Sequence, residues 1–152
     1  MITAYLTFDG DAEEAFSYYR SVLGGELTSL HRFGDSPLGA QLPDVDKRKL
    51  MHVTLESPHG TIRGNDHLEM MGPLTSGNTV SLSLHPFSEA AARELFEGLS
   101  ADGMVTVPLD NAPWGALFGM LNDRFGVRWL VNFEHPNAGD EDASQDRSND
   151  LA

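Results

Sequence analysis

The chain carries the same series of secondary-structure signals twice, and this repeat constrains the fold more than any other feature. Each copy opens with a threonine-led strand pattern, at Thr3 and at Thr79, and continues with an amphipathic helix. A glycine turn and a further strand follow, near Glu26 and near Met104. Self-similarity of this size indicates two copies of one structural unit. The pattern predicts an α+β fold of two βαβββ modules, which form a cup-shaped mixed sheet around a cavity.

The composition is that of a globular domain. The chain has 152 residues, of which 40% are hydrophobic and 22% are charged, and this is enough to form a core. We predict a single domain over residues 1–136, made of modules at about 1–72 and 77–136. The segment 137–152 contains five acidic residues, one arginine and no aromatic residue. That composition predicts a disordered acidic tail.

Charge and hydropathy disfavour several classes of function. The net charge of -13 opposes binding to nucleic acid, because few cations are available to replace the counterions of the phosphates. No apolar run approaches the roughly 20 residues that span a bilayer, and the chain begins with a strand pattern rather than a signal peptide. The chain has no cysteine, which excludes disulfides and thiolate zinc sites. We expect a cytoplasmic protein that binds neither nucleic acid nor membranes.

Local signals predict where several elements begin and end. Asp11, with Glu14 three residues later, predicts the N-cap of the first helix, and Ser88 predicts the N-cap of the second. The glycine- and proline-containing stretch 34–49 is predicted as a long loop, of a length often found in functional lids or partner contacts. The first strand of the second module is predicted over 79–84.

Residue parity sorts each predicted strand into an apolar and a polar face, because neighbouring side chains point to opposite sides of a sheet. Trp129 falls with the apolar residues and is predicted to pack in the core. The polar positions, with two aromatic residues near the last turn, give the candidates for a ligand-binding cavity: Tyr5, Thr7, Thr54, Thr79, Ser81, Trp114, Phe118, Arg128, Leu130 and Asn132. The alternative is that the polar faces are simply exposed to solvent.

Two of these candidates also fit other roles. Trp114 lies in a Pro-Trp-Gly turn, where it either closes the cavity, forms a dimer contact or anchors the turn. Arg128 either supplies a fixed cation for an anionic ligand or is an exposed strand residue.

His52 is the candidate for catalysis, with Glu56 on the same side of its strand. A histidine near a carboxylate can act as a general base or contact an anion. Four residues along a strand span about 13 Å, so the two side chains cannot pair unless the strand bends. The alternatives are a hydrogen-bonded structural histidine, or an unusual metal site that combines His52 with Asp66 or His67.

Four segments, 5–27, 51–55, 113–119 and 123–132, resemble the PhnB-like branch of the vicinal-oxygen-chelate superfamily. The series Trp-Gly, Phe-Gly and Phe-Gly-Val-x-Trp in the last two segments is the most specific part of the resemblance. The superfamily includes glyoxalase I, bleomycin-resistance proteins and extradiol dioxygenases. The resemblance implies two βαβββ modules, a cup-shaped sheet and a homodimer with sites near the module interfaces.

The resemblance also indicates where metal ligands would lie. Metal enzymes of the superfamily place ligands on the first and last strands of each module. Carried onto this chain, those positions fall near 3–5, near Gly64, at Thr79 and at Leu130, and none is His, Glu or Gln. Divalent metals of this class need imidazole or carboxylate donors, so we predict no metal site and no cofactor.

These observations favour a metal-free protein that binds a small molecule of unassigned identity. One alternative is a lyase or dioxygenase-type enzyme that uses His52, with a divalent metal held by unusual ligands. Another is an interaction module whose sheet contacts a second protein. The expected partners are a second copy of the chain and a small-molecule ligand.

Overall fold

Two four-stranded sheets, one from each copy of the repeat, form the framework. The computed structural model describes residues 1–136. The predicted acidic tail at 137–152 lies outside the described residues. The strands are β1 (Ala4–Phe8), β2 (Glu26–Arg32), β3 (Leu50–Ser57), β4 (Gly60–Asp66), β5 (Leu82–Leu84), β6 (Met104–Asn111), β7 (Ala116–Asn122) and β8 (Arg128–Glu134). The helices are α1 (Ala12–Leu23), the short α2 (Asp44–Lys47) and α3 (Glu89–Ser100).

The strand order of the two sheets is the same. The first sheet has the order β1-β4-β3-β2 and the second β5-β8-β7-β6. In each sheet the first strand of the module pairs in parallel with the last, and the remaining pairs are antiparallel. This arrangement confirms the predicted α+β fold of two βαβββ modules with mixed sheets.

One apolar core joins both modules. Helix α1 buries the stripe of Ala12, Ala15, Phe16, Tyr19 and Leu23, which follows helical spacing. Helix α3 buries a corresponding stripe against β7 and β8, and the two helices contact each other. Because the buried side chains of both stripes belong to one cluster with those of the strands, the modules do not fold around separate cores.

Glycines in the strands let the helices approach the sheets closely. A Cβ atom at Gly64 would lie 2.5 Å from the carbonyl oxygen of Leu6 and 2.8 Å from the Phe16 ring. At Gly119 it would lie 2.7 Å from the Phe96 ring. All three distances are shorter than van der Waals contact, so a phenylalanine from each helix packs directly over a glycine of its sheet.

A buried carboxylate connects the two modules. Asp123 is 4% exposed and follows β7. Its Oδ2 accepts hydrogen bonds from the Tyr19 hydroxyl at 2.6 Å and from Trp129 Nε1 at 2.9 Å. Its Oδ1 accepts from the backbone N–H groups of Phe125 and Val127. Tyr19 belongs to the first module and Trp129 to the second, so one side chain joins a helix, a turn and a strand from both halves.

A second buried carboxylate organises the first module. Asp66, at the end of β4, is 2% exposed. Its Oδ1 accepts from the backbone N–H groups of Gly10 and Ala12, and its Oδ2 accepts from Leu50 N. The start of α1, the start of β3 and the end of β4 are therefore held at one point.

Three local predictions are corrected by the structure. The Asp11 side chain makes no capping hydrogen bond, and its backbone (φ -111°, ψ 20°) lacks the extended conformation that is typical of an N-cap. Ser88 does cap α3, accepting from Ala91 N. Strand β5 begins only at Leu82, so Thr79 lies before it and Val80 is 74% exposed. The predicted loop 34–49 contains two 3₁₀ turns and α2.

Replacement of Asp123 by asparagine is expected to lower the free energy of unfolding by about 2–4 kcal/mol. The amide retains one acceptor oxygen but turns its NH₂ group toward at least one buried N–H donor. Urea unfolding followed by tryptophan fluorescence measures the change. Asp9→Asn, the same substitution at an exposed aspartate, is the matched control. Equal midpoints for the two variants would contradict the structural role of Asp123.

Candidate functional site

Six polar side chains cover one side of the first sheet, opposite its helix. Strand pairing aligns Tyr5 with Arg63 and Arg63 with Thr54. It also aligns Thr7 with Asn65, and His52 lies opposite Asn65 because the next residues, Val53 and Gly64, are paired. Residues paired across strands share a face of the sheet. The structure thus forms two adjacent rows of three residues, which we call the polar face: Tyr5, Arg63 and Thr54 in one row, Thr7, Asn65 and His52 in the other.

Hydrogen bonds link most members of the polar face. The Tyr5 hydroxyl lies 3.3 Å from His52 Nδ1, and His52 Nε2 lies 3.1 Å from Thr54 Oγ1. The Thr7 hydroxyl donates to Asn65 Oδ1 at 3.0 Å. Partial burial raises the pKa of the Tyr5 hydroxyl, which keeps it a neutral O–H group. Three of the predicted residues, Tyr5, His52 and Thr54, are therefore brought into one connected group.

Arg63 and Asn65 are the members of the polar face that sequence reasoning missed, and Arg63 carries the charge. It is half-buried, and its Nε is buried without a hydrogen-bond partner among the described residues. No ion pair found within residues 1–136 includes it. The signal was present in the sequence, because a hairpin turn at 58–59 places Arg63 opposite Thr54 once the register is counted outward.

A groove of about 330 Å³ borders the polar face where the two modules meet. Tyr5 and Thr7 line its first-module side, and Arg128 and Val127 line its second-module side. Arg128 is half-buried, and its Nε donates to the Ser81 hydroxyl at 3.4 Å, a long contact. The predicted residue Arg128 therefore lies across the groove from Tyr5 and Thr7, with Ser81 in contact with it.

The remaining candidates lie elsewhere. Phe118, Leu130 and Asn132 share one side of the second sheet, where Phe118 pairs with Asn132 and Met120 with Leu130. Among the described residues, no hydrogen bond links this group to the polar face. Trp114 is 65% exposed in the turn before β7, with its ring 5.4 Å from that of Phe118. Thr79 is an exposed residue of the linker.

Glu56 is separated from His52, as the strand spacing predicted. It is exposed near the end of β3 and pairs across the strands with Glu26 and with Thr61. The His52 ring nitrogens contact Tyr5 and Thr54 instead. A direct pair between His52 and Glu56 is absent from the described part of the chain.

The positions that the resemblance gives for metal ligands on the first module fall near residues 3–5 and near Gly64. None of residues 3–5 and 63–65 is His, Asp or Glu, and Arg63 brings a positive charge to the polar face. Asp66 lies on the opposite side of β4 from Arg63 and is held by backbone N–H groups, so it does not approach His52. Among residues 1–136, no group of three or more His, Asp or Glu side chains is placed to hold a metal.

None of the helices in the described part of the chain is long and apolar enough to cross a membrane. Among the cations of residues 1–136, Arg20, Arg32, Lys47, Lys49, Arg93 and Arg124 form ion pairs with carboxylates. Arg48, Arg63 and Arg128 form none within that range. Two of these three lie on or beside the polar face.

The chain is similar to several known proteins, and the solved structures of two of them share this architecture. Protein PA1353 from Pseudomonas aeruginosa is 39% identical, with 90% of this chain and 98% of that chain covered and a TM-score of 0.78. The PhnB protein from Bacillus cereus is 28% identical, with 87% and 98% covered and a TM-score of 0.72. Protein YjdN from Escherichia coli (strain K12) is 28% identical over 142 residues, which are 86% of this chain and 93% of YjdN.

A family model also matches nearly all of the described part of the chain. It is the model of the Glyoxalase/Bleomycin resistance protein/Dioxygenase superfamily, and it covers residues 2–131. The repeat, the two mixed sheets, the relatives and this match agree with one another. The chain therefore belongs to the Glyoxalase/Bleomycin resistance protein/Dioxygenase superfamily, and within it resembles the PhnB-like proteins.

Proposed function

We propose that the protein binds a small polar molecule on the polar face of its first sheet, without a metal. The observation that carries the proposal is the convergence of hydroxyl, imidazole, amide and guanidinium groups in two rows on three adjacent strands. Sites for small molecules combine a few positioned polar groups with a recess that shields the ligand. The groove beside Tyr5 and Thr7 supplies a recess at the edge of these rows.

The donor set supports binding without a metal. The position of Arg63 on this face would oppose a divalent cation, because two positive charges in a partly buried site repel each other. Both ring nitrogens of His52 have protein partners, so metal coordination would first have to break one of these contacts.

To test binding, the protein is purified under conditions that retain any bound molecule and is analysed by native mass spectrometry. A thermal-shift screen of polar metabolites follows. We expect at least one compound to bind saturably. His52→Ala should weaken it by about tenfold, as expected for the loss of one or two hydrogen bonds. His85→Ala, which removes an exposed histidine outside the polar face, should not. Equal affinities in both variants would place the ligand elsewhere.

An enzymatic function is the second candidate, and the contact between Tyr5 and His52 favours it. A histidine whose ring is held by hydrogen bonds has a fixed orientation and can act as a general base toward a bound molecule. The reaction class would be that of the superfamily's lyases or dioxygenases, with His52 as the base and with any metal held by ligands other than the usual ones.

Turnover distinguishes the enzyme from the binding protein. A compound found in the binding screen is incubated with the protein and followed by proton NMR over hours. If His52 is the base, the wild type converts the compound, and His52→Gln binds it but converts it at least about 100-fold more slowly. Full activity in His52→Gln would eliminate His52 as the base, and an unchanged compound in the wild type would support binding alone.

We also propose that the working form is a homodimer, as is common in this superfamily. Strand β6 lies at the edge of the second sheet and exposes Met104, Val105 and Val107. Exposed apolar side chains on an edge strand are a frequent site of association.

The cytoplasmic location and the lack of nucleic-acid binding, which the sequence analysis led us to expect, stay predictions.

Light scattering after size-exclusion chromatography should give the mass of a dimer for the wild type. Met104→Glu, which puts a charge on the exposed edge strand, should shift the protein toward the monomer. Val80→Glu adds the same charge at an exposed linker residue and should leave the mass unchanged. A monomeric wild type would refute the dimer.

A further inference from the structure

We propose that the ligand of the polar face carries an oxyanion, a carboxylate or a phosphoryl group, and that Arg63 binds it. The inference rests on the proposed function, because it names the chemical class of the ligand for the same site.

Arg63 is unpaired among the described residues of a chain that is rich in carboxylates. The chain carries 23 acidic and 10 basic residues, so a cation has many carboxylates available. Six of the described cations pair with one, whereas Arg63, like Arg48 and Arg128, forms no ion pair among residues 1–136. Glu56 is the acid on the same side of β3, and it forms no ion pair with Arg63 within 4.0 Å. The guanidinium group thus keeps its charge available to a ligand.

The buried Nε of Arg63 indicates which side of the guanidinium lacks a partner. A buried N–H without a hydrogen bond is unfavourable, and the large majority of such groups in native proteins have a partner. No described residue supplies one. An oxyanion satisfies the group well, because the fork of arginine N–H donors matches the two oxygens of a carboxylate or a phosphoryl group.

The neighbours of Arg63 add a further donor. Tyr5 and Thr54 flank Arg63 in its row, and both hydroxyls contact the His52 ring. A neutral imidazole carries one N–H, so the two contacts use two of the three hydrogens on Tyr5, Thr54 and His52. Whichever tautomer is present, one hydroxyl hydrogen beside Arg63 remains to be donated to a ligand oxygen.

This donor set also accounts for a site on a strongly acidic protein. An anion approaching a chain of net charge -13 is repelled at long range, and salt screens that repulsion within about 8–10 Å. Close to the polar face, the attraction to Arg63 outweighs this repulsion, since charge-assisted hydrogen bonds are roughly twice as strong as neutral ones.

The experiment uses inorganic phosphate and benzoate as the phosphoryl and carboxylate probes, with ionic strength held constant by sodium chloride. Binding is measured by thermal shift and by isothermal titration calorimetry. Wild type and Arg48→Gln should bind at least one probe with equal affinity, because Arg48→Gln removes one positive charge from an exposed site away from the polar face. Arg63→Gln should bind at least about tenfold more weakly.

Two results would overturn the proposal: equal affinities in Arg63→Gln and wild type, or no binding of either probe by the wild type. If Arg63→Gln does not fold, the probe affinity is measured in Arg63→Lys, which keeps the charge but lacks the buried Nε. Weakening by about threefold or more supports the proposal, and unchanged affinity overturns it. A neutral compound that binds Arg63→Gln and wild type equally, but not His52→Ala, would leave the proposed function standing without the oxyanion.

Discussion

The arrangement of the two modules depends on the carboxylate of Asp123. Burying an isolated charge is costly unless hydrogen bonds replace the lost water, and Asp123 has four such bonds. Burial and the nearby negative charge of Asp123 raise the pKa of Tyr19 far above its ordinary value, so the phenol remains a donor. Because its donors come from a helix of one module and a strand of the other, this one group links the two modules within their shared apolar core.

The polar face is held by a separate set of constraints. Asp66 fixes the end of β4 against the starts of α1 and β3, and β4 carries Arg63 and Asn65 between Tyr5 on one side and Thr54 on the other. Gly64 faces the opposite way and lets Phe16 pack on the strand. Alternate residues of one strand thus serve the core and the site, so the position of Arg63 is set by packing on the other side of the sheet.

Much of the fold was predictable because it rests on periodic signals. The repeat and the alternation of side chains predicted two βαβββ modules, and Trp129 was placed correctly in the core, where it is 2% exposed. Alternation also placed Tyr5, His52 and Thr54 on one side of the sheet. These features depend on short stretches of chain, in which local geometry fixes the direction of each side chain.

The parts that could not be predicted depend on contacts between distant residues. Asp11 has the sequence of an N-cap, but its side chain makes no capping bond. The N–H of Ala12 at the start of the helix is instead bound by Asp66, 54 residues away in the chain. A β-bulge near His31 and Arg32 breaks the alternation of β3 and leaves Met51 37% exposed. The position of Arg63 opposite Thr54 could have been derived from the hairpin register. That its Nε lacks a partner among the described residues becomes visible only in the folded structure.

The module junction has a consequence for how the halves of the chain depend on each other. The linker over residues 73–81 has no helix or strand, and its side chains are mostly exposed. The modules are instead joined through Tyr19, Asp123 and the shared apolar core. A chain cut within this linker would therefore be held together by noncovalent contacts, and its reassembly would follow the mass action of a bimolecular complex. The covalent linker raises the effective concentration of each module near the other. It does not determine how the two modules pack.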